Sequence, residues 1–403
     1  MPSLIRRKVS KRTGKVTWTV QLGVGVQDDG RPKYLIKTFA KKSEAKEYLL
    51  QRQQDLGRGM PVEPSKLTLD EYLDQWLASL RANKSVRTNT LESYESVLKL
   101  YIRPHLGERQ LDDIKALAIQ GVVTKLGEPK LVRRKLTDEE REAGVSDTVE
   151  RFLAPRTIRY ALSVLSKALK QAVRWRTLAY NPAADIDLPC RQRREMAALT
   201  PEQGRALLQA VEGDRFEALF KLAIATGMRP SEYRALKWSD LDLAAGQAVI
   251  QRTVMRTKDG WEFADTKTDQ SRRALSLPEP VVEALRAHKA RQGEERLKMG
   301  GSWNNFDLVF PNEVGEPMDH KNLLRRYFRP LLKKAGLPLT VRLYDLRHTC
   351  ATLMLSAGIQ PKVMAGVLGH TSIRTTMDTY SHVLPDMTDD AAKKVGDLLF
   401  KPA

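Results

Sequence analysis

Apolar residues change their period along the chain, and each change marks an expected unit. Val16, Trp18, Val20, Leu22, Val24 and Val26 alternate with other residues, the two-residue period of a strand with one buried face. Asp28, Asp29 and Gly30 then offer a turn, Tyr34 to Phe39 a second strand and Ser43 to Leu56 a helix, so residues 1–60 are expected to form a small sheet backed by one helix. After a linker containing Gly and Pro, Gly57 to Pro64, the period lengthens to that of a helix. Thr68 and Glu71 have the spacing of a capping box, and Leu69, Tyr72, Leu73, Trp76 and Leu77 form the stripe of a helix through Leu80. Leu91, Tyr94, Val97, Leu98 and Tyr101 form a second stripe, and Ile158, Leu162, Leu165, Leu169 and Val173 a third, so residues 66–184 are expected to be all helical. Glu128–Arg151, which includes TDEEREAG, reads as a charged, solvated insertion between these helices.

The arginine-rich stretch beside Pro189 reads as a basic hinge, and a new start follows it. In LTPEQ, Thr200 is placed to cap a helix, Pro201 to occupy its first position and Gln203 to reciprocate the cap. From there the pattern is helix, helix, three strands, then helices, with strands near Ala248–Val254, Trp261–Ala264 and Arg273–Leu277 and a turn at Asp259-Gly260. The expected fold class is α+β and multidomain: a small three-stranded sheet plus helix, a helical domain, and a mainly helical domain with a small antiparallel sheet.

Composition narrows the function. A chain of 403 residues suits two or three domains. It has no apolar run of bilayer-spanning length and no secretory leader, which suggests a soluble intracellular protein. Cys190 and Cys350, the only cysteines, offer neither a disulfide framework nor a paired-thiol metal site, and a reducing compartment fits. Lys plus Arg exceed Asp plus Glu by 68 to 49, a net charge of +19, which concentrates polyanions at the surface and makes nucleic acid the leading partner. Residues 1–60 carry 14 Lys or Arg against 5 Asp or Glu, and Lys11, Arg12 and Lys15 of the turn KRTGK are suited to phosphates. Gly23 and Gly25 are no dinucleotide fingerprint, because no third glycine or helix follows, and no P-loop is present.

The candidate chemistry lies in three stretches of the last domain. In ATGMRPSEYRALKW, residues 225–238, a helix ends at Gly227, Arg229 occupies the turn, and Glu232 can orient its guanidinium at the next helix start. In TKTDQSRR, residues 266–273, Lys267 is expected on a turn joining the last two strands. In RLYDLRHTC, residues 342–350, Tyr344, Arg347 and His348 gather at a helix entrance whose N–H groups favour an anion. Two arginines and a lysine make a cradle for one phosphate. Further along, LGHTSIRTTMDTYSHV, residues 368–383, adds His370 and, beyond a short helix with Thr371 or Ser372 as cap, Tyr380. A phenol beside a clamped phosphate is a candidate nucleophile, since the arginines stabilise both the phosphorane and the phenolate.

Each of these residues alone has an ordinary structural explanation, but their order does not. TGMRPSE, TKT, DLRHT, LGH and DTYSH closely resemble the catalytic boxes of the tyrosine recombinases, the phage-integrase family, over residues 200–385 and more loosely over the whole chain. The resemblance implies an arm-type DNA-binding domain at 1–60, a core-binding domain at 66–184 with an insertion at 128–151, and a catalytic domain with a carboxy-terminal tail at 197–403. It implies site-specific strand exchange, most simply the integration and excision of a phage or other mobile element, without metal or cofactor. Tyr380 would form a 3′-phosphotyrosyl link, Arg229 and Arg347 would hold the phosphate, Lys267 would protonate the leaving oxygen, and His370 would hydrogen-bond a phosphate oxygen. Glu232 would brace Arg229, and His348 would give structural support. Arg156 and Arg159 are taken as further DNA contacts beside Lys11, Arg12 and Lys15.

The family pattern has His-x-x-Arg where this chain has Tyr344-x-x-Arg347. A phenol can donate a hydrogen bond, but it is a poorer base near neutrality than an imidazole. Slower cleavage is therefore expected. A resolvase or transposon recombinase of the same chemistry, or a catalytically silent DNA-binding protein, are the alternatives. The implied partners are double-stranded DNA at core and arm-type sites, three further copies of the chain in a tetramer, a DNA-bending host factor and a directionality factor. No membrane is implied; the setting is the bacterial cytoplasm, at the nucleoid. The tail, with Ala391, Val395, Leu398 and Leu399 at helical spacing, suggests packing on its own domain or docking on a neighbour.

Overall fold

The computed structural model describes residues 4–9, 16–26, 31–57, 67–133, 146–190, 198–265, 272–370, 372–374, 377 and 400. The chain divides into two compact units, Met1–Arg193 and Arg194–Ala403. The first two expected domains fall in the first unit and the third in the second.

The first unit opens with strands β1 (Leu4–Val9), β2 (Val16–Val26) and β3 (Pro32–Phe39), an antiparallel sheet with β2 in the middle. Val20 and Leu22 of β2 and Ala45 of helix α1 (Lys42–Gly57) are buried, the apolar face the alternation predicts. β1, sequence LIRRKV, has little alternation to announce it; it forms by hydrogen-bonding the edge of β2 from Leu4↔Gln21 to Val9↔Val16. The Gly-x-Gly marks an irregularity, since the β2–β3 register shifts between Gly23 and Gly25.

Helix α2 (Leu69–Ala82) starts at the capping box: Glu71 N–H donates to Thr68 Oγ1 at 3.3 Å, and Thr68 N–H donates to the Glu71 carboxylate at 2.8 Å. Helix α3 runs from Thr88–Val97 through a π-helical turn, Leu98–Ile102, into Arg103–Leu106. Helix α4 (Ala116–Gly127), which none of the three stripes covers, and helix α5 (Pro155–Arg174) complete the bundle. The three stripes meet in one core, where Trp76 stacks on Tyr94 at 5.8 Å and Tyr72 Oη donates to Ala168 O at 2.6 Å. The region is not all helical. Strands β4 (Lys130–Arg133) and β5 (Thr148–Arg151) pair antiparallel at the two ends of the insertion, Lys130 opposite Arg151. Each has only four residues, too few to show a period in the sequence. Residues 134–145, with TDEEREAG, lie outside the described residues.

In the second unit helix α6 (Pro201–Ala210) has the expected Thr200–Gln203 capping box. Helix α7 (Glu217–Thr226) is buried on nearly every side and forms the centre of the core, with Phe220 stacked on Phe328 at 5.6 Å. The short helix α8 (Pro230–Tyr233) leads to strands β6 (Leu241–Asp242), β7 (Gln247–Ile250), β8 (Arg252–Thr257), β9 (Gly260–Asp265) and β10 (Arg273–Ser276). Their pairing corrects the expected sheet in two ways. The strand near 248–254 is two strands, broken at Gln251: Arg252 stands where the inward alternation of Ala248 and Ile250 would continue, and it pairs instead with buried Asp240 at 2.5 Å. β10 pairs with β7, giving the order β10-β7-β6, while β9 pairs with β8. β9 and β10 therefore do not pair with each other as a hairpin, and Lys267 between them lies outside the described residues. Helices α9 (Glu279–Met299), α10 (His320–Asn322 through a π-helical turn, Leu323–Phe328, into Arg329–Lys334), α11 (Asp345–Ser356) and α12 (Pro361–Leu368) follow. Among the described residues no helix is long and apolar enough to cross a membrane.

Candidate active site

The site is built where the ends of α7 and α12 meet the starts of α8 and α11. Gly227 ends α7 in the left-handed region, φ +63°, and a Cβ there would lie 2.8 Å from Leu368 Cδ2 and 3.2 Å from Cys350 Sγ. Two residues later Arg229 caps α8, with Pro230 in the first turn. Its backbone N–H and its Nη1 donate to the two carboxylate oxygens of Glu232, at 2.9 and 2.7 Å, as the sequence led us to expect. Its Nη2 donates to Gly369 O at 3.0 Å.

Arg347 does not face outward from the helix entrance. In the first turn of α11 it is 1% exposed, with Nη1 donating to Gly227 O at 2.8 Å and Nη2 to Leu368 O at 2.6 Å. Its start is pinned as well: Thr349 Oγ1 donates to Asp345 O at 2.9 Å and accepts from Leu199 N–H at 3.0 Å. Tyr344 stands just before α11, 41% exposed, with its ring edge-on to that of His348 at 5.1 Å.

A third arginine belongs to the cluster and was not among the expected site residues. Arg273, the first residue of β10, donates Nε to Val367 O at 2.6 Å and grips Glu232 with both terminal nitrogens, at 3.3 and 2.9 Å. Only its place at the end of TKTDQSRR could have drawn attention to it. Gly369, φ +65°, leaves room for this side chain, since a Cβ would lie 2.8 Å from Arg273 Nη1.

The three arginines therefore converge on three successive carbonyls, Val367, Leu368 and Gly369. These are the last acceptors of α12, left without intrahelical donors and carrying the negative end of the helix dipole. With the buried Glu232 they hold together cations that would otherwise repel. The electrostatics show it. Burial opposes charging of Glu232, but the hydrogen bond and charge of Arg273, and then Arg229, outweigh it and keep the carboxyl below its ordinary value. Burial, and then the neighbouring Arg229, bring Arg347 down to about 10. His370, which follows directly, is pushed down to about 4 by burial and by Arg347, Arg229 and Arg273. It is neutral at neutral pH and so works as a hydrogen-bonding imidazole, not as a cation. His348 is also shifted down, by burial first and by Arg347 and Arg342 against the opposing pull of Asp345.

Three guanidiniums against one carboxylate leave this cluster cationic, as a site for a phosphodiester requires. Among the described residues no three His, Cys, Asp or Glu side chains group as metal ligands. Lys267, Tyr380, Thr371, Lys11, Arg12, Lys15 and the tail residues Ala391, Val395, Leu398 and Leu399 lie outside the described residues. Arg156 and Arg159 belong to the first unit, on the opening turns of α5. Arg156 is exposed, Arg159 Nη1 donates to Pro189 O at 2.8 Å, and with Thr157, Tyr160, Ser163 and Leu188 they line a cleft of about 870 Å³.

Residues 197–387 match the model of the phage integrase family, and residues 68–127 match that of the phage integrase N-terminal SAM-like domain. The chain is 28% identical to a tyrosine recombinase XerC-like protein of Caldanaerobacter subterraneus subsp. tengcongensis, over 96% of this chain and 97% of that protein. It is 29% identical to an integrase of Streptomyces ambofaciens, over 90% and 88% of the two chains. Among solved structures it resembles the Tn1549 transposon integrase in complex with a circular intermediate DNA, with a TM-score of 0.63 at 21% identity, covering 82% of this chain and 100% of that one. A lambda integrase fragment bound as a dimer to a core site shares the fold with a TM-score of 0.52 at 20% identity, covering 78% and 95%.

Proposed function

This chain belongs to the phage integrase family of tyrosine recombinases, and from that premise we propose that its arginine cluster grips one scissile DNA phosphate while Tyr380 attacks it. The protein is a site-specific DNA recombinase that breaks and rejoins double-stranded DNA. Arg229 and Arg347 neutralise the non-bridging oxygens, and His370, as a neutral imidazole, hydrogen-bonds one of them. The Tyr380 oxygen bonds to phosphorus as the bond to the 5′ oxygen breaks; the phenol proton leaves to water, and Lys267 protonates the departing 5′ oxygen. The ester keeps the energy of the broken bond, so the 5′-hydroxyl of a partner strand reverses the step after exchange. The observation that carries this reading is the convergence of Arg229 and Arg347 on one helix end, with Glu232 bracing the first.

Three parts share the work: residues 1–60 hold arm-type sites, residues 66–184 grip the core site through Arg156 and Arg159, and residues 197–403 carry the chemistry. The sheet and helix of residues 1–60 favour integration and excision of a mobile element over simple resolution. The active assembly is a tetramer on two duplexes in the bacterial cytoplasm, at the nucleoid, aided by a DNA-bending factor and a directionality factor. Tyr344 in place of an imidazole slows cleavage; Tyr344→His is expected to raise the single-turnover cleavage rate by about tenfold, and no rise would remove Tyr344 as the cause.

The test is to incubate the protein in EDTA with a library of DNA flanking the element, then trap and map covalent adducts. Wild-type adducts that vanish in Tyr380→Phe are expected. Specific binding without adducts, on DNA that carries the site, would overturn the mechanism and favour a silent DNA-binding protein.

A further inference from the structure

Arg273 is the arginine of the cluster whose role the mechanism above leaves unassigned. Its side chain is 6% exposed. Its bonds join three elements: β10, on which it stands, α8 through Glu232, and the end of α12 through Val367 O. Glu232 has two oxygens and receives four hydrogen bonds, two from Arg229 and two from Arg273. A carboxylate offers about four lone-pair positions, so each donor pair restricts where the other can sit. Removing Arg273 would leave a buried carboxylate with half its donors, able to turn toward Arg229 and draw that guanidinium out of line.

A purely structural role explains this arrangement poorly. A buried ion pair adds little net stability over an apolar pair of similar volume, and a third guanidinium beside two others adds repulsion. The cationic end of β10 is better explained by what it holds. The fork geometry matters too, because Arg273 meets both oxygens of Glu232 in a two-pronged contact that a lysine ammonium cannot reproduce.

We infer that Arg273 is a positioning residue: its two-pronged grip on Glu232, anchored at Val367 O, aims the Arg229 guanidinium at the scissile phosphate without itself touching DNA. The inference rests on the proposed role of Arg229 as a phosphate clamp. If it holds, the effect of Arg273 depends on the negative charge of the scissile phosphate, because that charge is what Arg229 meets.

The experiment uses the full chain, as wild type, R273Q and R273K, on nicked duplexes that trap the covalent adduct. The scissile linkage is either a phosphodiester or a methylphosphonate, in which a neutral methyl group replaces one charged oxygen. On the phosphodiester, R273Q is expected to slow adduct formation on the order of 100-fold, in the range of losing one oriented charge donor, with DNA affinity within about threefold of wild type. R273K is expected to recover about tenfold of that loss. On the methylphosphonate whose methyl group replaces the oxygen that Arg229 meets, the wild-type and R273Q rates are expected to agree within about threefold, since no charge then develops at that position for Arg229 to stabilise. Loss by the same factor on both linkages would overturn the inference in favour of a packing role, and wild-type rates for R273Q on the phosphodiester would overturn it outright. R273K gives the same comparison of linkages if R273Q does not fold. Failure of the wild type to form an adduct on bound phosphodiester DNA would instead bring down the phosphate-clamp reading, and the inference with it.

Discussion

Two helix ends in this protein solve the same problem at different distances. At the start of α2 the unpaired backbone N–H groups are met by Thr68 and Glu71, three residues apart. At the end of α12 the unpaired carbonyls of Val367, Leu368 and Gly369 are met by Arg273, Arg347 and Arg229, which lie 94, 21 and 140 residues away in the chain. The local cap satisfies one helix and nothing more. The distant cap also fixes the position of three cations, so closing a helix and building an anion site become a single event. Its members then depend on one another, whereas the capping box stands alone.

That contrast can be broken from its strongest side. Arg347→Ala leaves two buried carbonyls without donors and removes the proposed phosphate clamp. Adduct formation in single-turnover assays is expected to fall on the order of 1,000-fold, and urea denaturation to show a loss of about 3 kcal/mol. Gly369→Ala tests the same end through the backbone. With φ at +65° and Arg273 Nη1 2.8 Å from the new Cβ, a stability loss of about 2 kcal/mol is expected, with slower cleavage because Arg273 must move. Proton linkage gives a smaller effect. His370 is held neutral, its folded value near 4 lying below the ordinary 6.5, so the unfolded chain binds more protons between these values. Its contribution to stability is complete above about pH 6.5 and is lost as pH falls toward 4. His370→Gln should therefore flatten the fall in urea midpoint over that window, and an unchanged slope would place the linkage elsewhere. Thr68→Ala is the weakest challenge: a loss of about 1 kcal/mol in the first unit, with single-turnover cleavage on pre-bound DNA unchanged.

The legible features were those whose partners lie close in sequence. The alternation from Val16 to Val26, the capping boxes at Thr68 and Thr200, and the brace between Arg229 and Glu232 could be read because each depends on residues two to four positions apart. The boxes around Arg347, His370 and Tyr380 were visible as short ordered motifs. Three features were not located: β1, the third strand of the expected sheet, whose apolar residues are too few to mark a buried face, the four-residue strands at the ends of the insertion, and the pairing of β10 with β7.

The sequence by itself determined the chemistry on offer: a basic chain, a nucleophile candidate, arginines at helix boundaries and the helical periods of two cores. Only the tertiary structure decided that Arg347 points inward, that β10 crosses to β7, and that Arg273 joins the site through Glu232 and Val367 O. The reason is physical. Periodicity and capping are energies of neighbouring residues, whereas the hold on the end of α12 exists only once β10, α8 and α11 have each been packed against it.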